Sequence, residues 1–246
     1  SEKPSDKRKI SLLNVDFKIM SGVEAARLRS TMTRTVSPHQ LVAGTDRRIH
    51  HGIALARDAI QAAGKSREGC GILDTDLISA FCNMVLMWAL KVMEAKGLCQ
   101  EACSRLLNLY TDNYSIVVVN NVLGKCVKNT RMTIRQGDKI SMEIFTFGID
   151  PVLIYLESRL KGILIYKMPI QGPMPAPTPP PYRINPRTAG RQAPRAPAPA
   201  TTLPPLELRY KLIGYCDDLK PSITSMNEFI IVDQAMTIFE KSSGCM

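Results

Sequence analysis

The chain has 246 residues, with 32 Lys and Arg against 22 Asp and Glu, which gives a formal net charge of +10. Hydrophobic residues make up 45% of the sequence and charged residues 22%, so a packed core is expected and a wholly disordered chain is excluded. No apolar run reaches the ~18 residues of a membrane span, and the polar first residues lead into no secretory segment. We therefore expect an intracellular protein of the nucleus or cytoplasm that is neither secreted nor spans a membrane.

Helix and strand signals alternate up to residue 166. Apolar residues at Ile49, Ile53, Ala56 and Ile60 are spaced four, three and four, which predicts an amphipathic helix over 47–63 with these residues on its apolar face. The further predicted elements are a strand over 71–76, helices over 80–96 and 101–110, a hairpin of 115–120 with 125–134, and a helix over 140–160. Pro151 predicts a kink or break in that last helix near Asp150.

A proline-rich stretch interrupts this pattern. Thirteen of the 17 prolines lie between Pro169 and Pro205, and no Asp or Glu occurs between Glu157 and Glu207. This composition buries too little apolar surface to order the chain, which predicts an extended, disordered insertion over 167–205. Residues 206–246 are too few to fold alone, so they are expected to pack against the part before the insertion.

After the insertion, residues 208–215 have a strand pattern and Asp217–Asp218 lies at a turn. Ser225 and Glu228 form a capping box, which predicts a last helix toward Glu240. The fold class is therefore α+β or mixed α/β, with helices packed on a small antiparallel sheet.

Composition leaves the partner of the positive charge open between nucleic acid, an anionic membrane surface and simple solubility. The seven cysteines are scattered, and the one close pair, Cys99 and Cys103, has no second pair at zinc-like spacing. We therefore expect unpaired, reduced thiols.

Two acidic pairs lie on or beside predicted strands. Asp74 and Asp76 are two residues apart, so they point to the same face of a strand, and Asp217 and Asp218 are adjacent at a hairpin tip. Carboxylates held together need a cation, and oxygen ligands select Mg²⁺ or Mn²⁺, the ions of two-metal phosphoryl transfer. Taken alone, each pair also fits an ordinary polar turn.

Five segments resemble, in the same order, motifs of reverse transcriptases from non-LTR (LINE-type) retrotransposons. Residues 7–19 are similar to the Arg-Pro-Ile-Ser-Leu-Leu-Asn opening of the fingers, and residues 40–49 to a Gln…Gly-Arg…Ile segment. Residues 76–81 resemble Asp-x-x-x-Ala-Phe, residues 135–141 resemble Arg-Gln-Gly-Asp-Pro-Leu-Ser, and residues 215–218 resemble Tyr-x-Asp-Asp. Together these segments extend over nearly the whole chain.

The resemblance implies the fold and the activity. The fold would be a right-hand polymerase, with a helical fingers region over 1–70, a palm formed by 71–166 and 206–246, and no thumb, because the chain stops where the next palm motif should begin. The activity would be that of an RNA-directed DNA polymerase. Such an enzyme transfers dNMP from a dNTP to a DNA primer on an RNA template and uses two Mg²⁺ or Mn²⁺ ions.

The resemblance also implies the site residues. It makes Asp76, Asp217 and Asp218 the catalytic metal ligands, Phe81 the steric gate that excludes a ribose 2′-hydroxyl, and Arg135, Gln136 and Gly137 nucleotide-binding residues. Arg8, Arg47 and Arg48 are candidates for contacts with nucleic acid. The sequence departs from the family at Cys82, where Asp is common, and at Cys216, where Ala is common.

Two alternatives are left open. One is an inactive, truncated retrotransposon relic that keeps the fold and RNA binding. The other is an interaction protein whose working part is the proline-rich insertion, with residues 177–180 as a PxxP-type ligand for an SH3 or WW domain.

Overall fold

The computed structural model describes residues 10–42, 47–66, 69–77, 79–129, 132–168 and 206–245. The helices in these ranges are α1 Val15–Thr35, α2 Ile49–Lys65, α3 Ala80–Asn83, α4 Leu86–Ala95, α5 Gln100–Tyr110, α6 Ser141–Arg159 and α7 Met226–Ser243. The strands are β1 Gly71–Ile72, β2 Tyr114–Val119, β3 Val122–Lys128, β4 Ile163–Met168, β5 Leu206–Tyr210, β6 Gly214–Tyr215, β7 Asp218–Leu219 and β8 Ser222–Ile223. The strand pairs among them are antiparallel, so the prediction of helices with small antiparallel sheets is confirmed.

Helix α6 lies at the centre of the main hydrophobic core. Phe145, Phe147, Ile149 and Leu153 are fully buried on several sides of the helix, and α1, α4 and α7 pack around it. Of the predicted kink or break near Asp150, the break is wrong, because the helix continues through Pro151, and the kink stays a prediction. Packing on nearly every side outweighs the one backbone hydrogen bond that a proline removes.

Helix α1 has no counterpart among the predicted elements. Its buried residues Ser21, Ala25, Leu28 and Met32 are spaced four, three and four, so the helical period is present in the sequence. The remaining faces are mostly polar, and exposed apolar residues at its start obscure the pattern.

Helix α2 confirms the predicted helix but not its apolar face. Ile53 and Ile60 are 63% and 61% exposed, whereas Gly52 and Ala59 are buried. The small residues allow a close approach: a Cβ at position 52 would lie 2.0 Å from Cδ1 of Leu41. Of the predicted face, Ala56 packs against the cluster around Ala59, whereas the three isoleucines are exposed. Close approach by small residues therefore decided which side of α2 packs.

The predicted helix over 80–96 is split in two. Between α3 and α4 the chain is extended, and Val85 forms an isolated bridge with Thr133. The Val85 N–H donates to the carbonyl of Ser243 at 2.8 Å, and the Leu86 N–H donates to the carbonyl of Met132 at 2.8 Å. These partners come from distant segments, so a local pattern could not show the break.

The segment 218–223 pairs with a different segment of the chain on each of its two edges. Residues 218–223 pair with residues 71–75 in one register, and with residues 211–215 in another. The predicted strand 208–215 is therefore two strands, because the chain leaves its β4 partner after Tyr210 and pairs with residues 218–222 from Lys211 onward.

Strands β4 and β5 pair antiparallel, and residues 169–205 lie between them in the sequence. These residues contain most of the predicted disordered insertion and lie outside the described residues. The predicted hairpin is present as β2 and β3, with its second strand ending at Lys128 instead of 134. All seven cysteines lie in described ranges and none forms a disulfide, as predicted. Among the helices that the structure describes, none has the length and hydropathy to cross a bilayer.

Candidate active site

The Tyr-Cys-Asp-Asp segment forms a tight hairpin. Tyr215 pairs with Asp218 across β6 and β7, which leaves Cys216 and Asp217 as the two turn residues. Cys216 has a φ of +58°, and a positive φ at the first turn residue is what two-residue hairpins require. We refer to residues 215–218 as the acidic hairpin.

The extended segment that follows β1 and carries Asp76 lies beside the acidic hairpin. Thr75 and Leu219 exchange backbone hydrogen bonds at 3.0 and 3.1 Å, and continuing that register by one residue aligns Asp76 with Asp218. Asp74 lies on the other side of Thr75, where its carboxylate pairs with the Lys220 ammonium. The fold therefore brings together the segments of Asp76 and Asp218, two predicted metal ligands that are 142 positions apart in the sequence. The third predicted ligand, Asp217, occupies the turn between β6 and β7.

The carboxylates of this site suit a hard divalent cation in their chemistry. Asp76 and Asp218 are exposed and Asp217 is half-buried, so the oxygens face an open edge of the sheet. Within the described residues, no group of three His, Cys, Asp or Glu is arranged to enclose a metal ion. Magnesium commonly binds one or two carboxylates, with water and substrate phosphates completing its shell, and the arrangement fits that open kind of site.

Helix α6 lies under the acidic hairpin. A Cβ at Gly214 would lie 3.1 Å from Cδ2 of Leu153, so the helix and β6 are in close contact. Burial raises the pKa of the Cys216 thiol, and the negative charges of Asp217, Asp218 and Glu143 raise it further. Cys216 is therefore a neutral, buried thiol, and its replacement of the common Ala adds no reactive group.

The Arg-Gln-Gly-Asp turn opens α6. Gly137 has a φ of +101°, and a Cβ there would lie 2.9 Å from the carbonyl oxygen of Ser11. The Ser11 N–H donates to the carbonyl of Gln136 at 2.9 Å, so the N-terminal segment runs directly over this turn. Both the backbone angle and the close approach require glycine at position 137.

Arg135 is held between two aromatic rings. Its guanidinium carbon lies 5.0 Å from the ring centre of Phe17 and 4.7 Å from that of Tyr110. The Tyr110 hydroxyl donates to Asp138 at 3.2 Å and lies 3.3 Å from Ser141 Oγ, and burial raises its pKa above the usual value. This stack keeps the turn in place, and it is a role that the motif did not indicate.

Phe81 lies five residues after Asp76, at the second position of α3. Its ring is half-buried in α3 and lies 4.9 Å from the ring of Phe145, centre to centre, which restricts its rotation. Ser79, just before α3, has a φ of +50°, so the chain turns sharply between Asp76 and Phe81.

The three arginines predicted to contact nucleic acid differ in their surroundings. Arg8 lies outside the described residues, and Arg48 is exposed at the start of α2. Arg47 donates to four main-chain carbonyl oxygens, those of Thr33, Val36, Ser37 and Gln40, at 2.6–3.4 Å. Its guanidinium thus joins the end of α1 to the loop that follows.

Sequence reasoning missed a basic groove along α1. It has a volume of about 480 Å³, and Lys18, Arg29 and Lys139 line it together with apolar residues of the helix. Lys18 and Arg29 are eleven residues apart, or three helical turns, so they share a face. That spacing was the signal in the sequence, but without the helix assignment it had no meaning.

The chain was also compared with known proteins. The family described as reverse transcriptase (RNA-dependent DNA polymerase) matches residues 1–243. The Transposon TX1 uncharacterized 149 kDa protein of Xenopus laevis is 25% identical over 158 residues, which span 64% of this chain and 12% of that relative. Apo telomerase from Candida tropicalis, truncated from its C-terminal domain, is similar with a TM-score of 0.48 and 7% identity, over 94% of this chain and 38% of that chain.

The two sequence matches agree with the order of the motifs and with the position of the Asp76 segment beside the acidic hairpin. The chain belongs to the reverse transcriptase family, and the predicted reverse transcriptase domain of a non-LTR retrotransposon is confirmed.

Proposed function

We propose that this chain carries the polymerase site of an RNA-directed DNA polymerase. The 3′-hydroxyl of a DNA primer attacks the α-phosphate of a dNTP. A new phosphodiester bond forms, the bond to pyrophosphate breaks, and the hydroxyl proton passes to water. The observation that carries the proposal is the bridge between Thr75 and Leu219, whose register, continued by one residue, aligns Asp76 with Asp218 at the edge of the acidic hairpin.

Asp76, Asp217 and Asp218 would hold two Mg²⁺ ions, or Mn²⁺ in their place. When bound, such ions activate the attacking hydroxyl and neutralise charge on the leaving pyrophosphate. The contribution of the chain is to hold the carboxylates. Asp76 follows Thr75, which bridges to Leu219 of β7, Asp218 lies on β7, and Asp217 occupies a tight turn. Family members act with divalent ions and nucleotide substrates, which agrees with this assignment.

The architecture we propose is a palm and fingers. The palm consists of the paired strands around residues 218–223 with α6 beneath them, from the ranges 71–166 and 206–246. The fingers consist of α1 and α2, within residues 1–70. The contact of Ser11 with Gln136 joins the two parts next to the Arg-Gln-Gly-Asp turn.

The nucleotide would lie between this turn and Phe81. Gln136 and Gly137 would contact the nucleotide through the exposed part of the turn, because the Ser11 carbonyl occupies the space where a side chain at position 137 would lie. The half-buried ring of Phe81 would occupy the space that a ribose 2′-hydroxyl needs. Arg135 would act through the turn, because its guanidinium is stacked between Phe17 and Tyr110.

The RNA template and DNA primer would be held by cations. Lys18 and Lys139 of the basic groove are candidates, with Arg8 and Arg48, whereas the Arg29 guanidinium in that groove is paired with Glu143. Phosphate contacts of this kind supply most non-specific affinity for nucleic acid. We assign Arg47 a structural part, because its guanidinium bonds to the backbone of the chain itself.

Primer extension on an RNA template with Mg²⁺ tests the proposal. Asp217→Asn keeps the size of the side chain but removes its charge. The rate of extension should fall by more than about 100-fold, because mutating even a residue that only orients a metal ligand lowers activity 10- to 100-fold. Asp233→Asn, an exposed residue of α7, is the matched control and should leave the rate unchanged. Full extension by Asp217→Asn contradicts the metal assignment, and a folded chain that binds template without extending it favours the relic.

A further inference from the structure

Gln40 lies directly beneath the acidic hairpin and is fully buried. Its side-chain Oε1 accepts the Cys216 N–H at 3.0 Å, and its Nε2 donates to the Cys216 carbonyl at 3.4 Å. One side-chain amide therefore serves both backbone groups of the first turn residue.

These two hydrogen bonds act on the turn of the hairpin, where the backbone has no hydrogen bonds from the paired strands. In a two-residue turn the paired strands end at Tyr215 and Asp218, so the ladder does not bond the groups of Cys216. Cys216 also has a positive φ, which costs about 1 kcal/mol or more for a residue with a Cβ. The Cys216 carbonyl belongs to the peptide plane that leads into Asp217, so fixing this carbonyl fixes the N–Cα bond of Asp217. Together with the pairing of Asp218 on the other side, this limits the directions in which the Asp217 side chain leaves the backbone.

Gln40 is itself rigidly held. The Leu41 N–H donates to the Gly214 carbonyl at 2.8 Å, and the Gly214 N–H donates to the His39 carbonyl at 2.9 Å, so residues 39–41 run alongside β6. Arg47 Nη1 donates to the Gln40 carbonyl at 3.0 Å. A Cβ on Gly214 would lie 3.3 Å from Gln40 Nε2, which shows how closely the amide fits against the strand.

We propose that Gln40 is a positioning residue for the divalent-metal site, and that it orients Asp217 by holding the Cys216 peptide. The inference rests on the proposed function, because it assumes that Asp217 is a metal ligand. An open site with few protein ligands depends on the direction of each carboxylate, and partners that orient ligands contribute to metal affinity. An amide is needed, since only a group with both a donor and an acceptor satisfies the N–H and the carbonyl together.

The test replaces the amide without changing its length. Gln40→Met removes both hydrogen bonds, and Gln61→Met on the exposed face of α2 is the matched control. Two quantities are measured on the chain: hydrogen exchange of the Cys216 amide by NMR, and Mn²⁺ affinity by electron paramagnetic resonance. For Gln40→Met we expect exchange at Cys216 to become about tenfold faster, equivalent to one lost hydrogen bond. We expect Mn²⁺ affinity to fall by about 10- to 100-fold.

A second pair of variants covers the case in which Gln40→Met does not fold. Glycine adopts a positive φ without strain, so Cys216→Gly makes the turn easier to form. Gln40→Met/Cys216→Gly is then compared with Cys216→Gly alone, and the double variant should bind Mn²⁺ more weakly by the same factor.

Asp217→Asn separates failure of the inference from failure of the proposed function. If the unmodified chain and Asp217→Asn bind Mn²⁺ equally, the metal site itself is wrong, and both proposals are overturned. If Asp217→Asn weakens binding but a folded Gln40→Met variant, alone or with Cys216→Gly, binds as tightly as its parent, only the positioning role of Gln40 is overturned.

Discussion

Residues of the same type around the acidic hairpin have different surroundings, and these decide what each one does. Asp74 pairs with Lys220, whereas Asp76, two residues on, is aligned with Asp218. Arg47 is bonded to carbonyl oxygens, whereas its neighbour Arg48 is exposed. A motif names residue types at set spacings, but the partners of each side chain come from segments far along the chain.

Phe81 allows a test at the scale of one residue. In Phe81→Ala the space occupied by the ring becomes open, so ribonucleotides should be admitted. We expect kcat/KM for a ribonucleotide relative to a deoxynucleotide to rise about 10- to 100-fold, the range of discrimination that a steric pocket gives. The measurement is single-nucleotide extension with each sugar. Phe229→Ala, a half-exposed residue of α7, is the control, and an unchanged ratio in Phe81→Ala would contradict the gate.

At the scale of elements, local chemistry decides where some helices begin and tertiary contacts decide where others break. The Ser225 hydroxyl accepts the Glu228 N–H at 3.3 Å, and α7 begins at Met226, as the capping box predicts. Between α3 and α4, by contrast, the chain is extended because Ser243 and Met132 supply hydrogen-bond partners for Val85 and Leu86. Capping lies within four residues of sequence, whereas the break depends on residues more than 40 positions away.

Glu228 provides a test of the start of α7. Its carboxylate accepts the Lys161 N–H at 2.6 Å, and the Thr224 N–H and hydroxyl at 2.6 and 2.7 Å. Burial acts to raise the pKa of Glu228, but these donors outweigh it and hold the pKa below 4.5. Glu228→Gln should lower the free energy of unfolding by about 2 kcal/mol at pH 7, since hydrogen bonds to a charged group are lost.

The pH dependence of this loss has a definite sign. Because the folded state has the lower pKa, the contribution of ionised Glu228 is fully present above pH 4.5 and is lost as the pH falls through the folded pKa. Urea unfolding of the unmodified chain and Glu228→Gln from pH 7 to pH 3 should therefore give curves that converge in acid. Glu94→Gln, exposed on α4, should track the unmodified chain throughout, and a constant gap for Glu228→Gln would contradict the assignment.

At the scale of the whole molecule, segments far apart in sequence meet around α6. The Ser11 N–H donates to the Gln136 carbonyl, and the Val85 N–H donates to the Ser243 carbonyl. Residues 39–41 run alongside β6. Arg29 of α1 pairs with the buried Glu143 of α6, with Nε 2.5 Å from Oε1. This ion pair joins the proposed fingers to the proposed palm next to the Arg-Gln-Gly-Asp turn.

The contribution of the Arg29–Glu143 ion pair to stability can be tested by replacing first one and then both partners with apolar residues. Arg29→Met leaves the buried carboxylate without its partner, and we expect a loss of about 2 kcal/mol, less than for a fully buried pair because Arg29 is more than half exposed. Arg29→Met/Glu143→Leu removes both charges and should recover most of that loss. Denaturant midpoints of the single and double variants give the comparison. A double variant less stable than Arg29→Met would contradict this account.

The sequence by itself determined the family, the order of the motifs and most elements, because these depend on short spacings and local propensity. The acidic hairpin, α5, α7 and the β2–β3 hairpin all follow from patterns within about 15 residues. The buried face of α2 and the continuity of α6 through Pro151 did not follow, because close packing decided them against the local signal.

Only the tertiary structure decided how the site is assembled. The bridge between Thr75 and Leu219 sets the register that aligns Asp76 with Asp218, and Gln40 reaches Cys216 because residues 39–41 run alongside β6. The physical reason is that these groups find their partners only in distant segments. The buried Gln40 amide and the stacked Arg135 guanidinium contact residues that are 25 to about 180 positions away. The hydrogen bonds that hold the acidic hairpin exist only once the chain is folded.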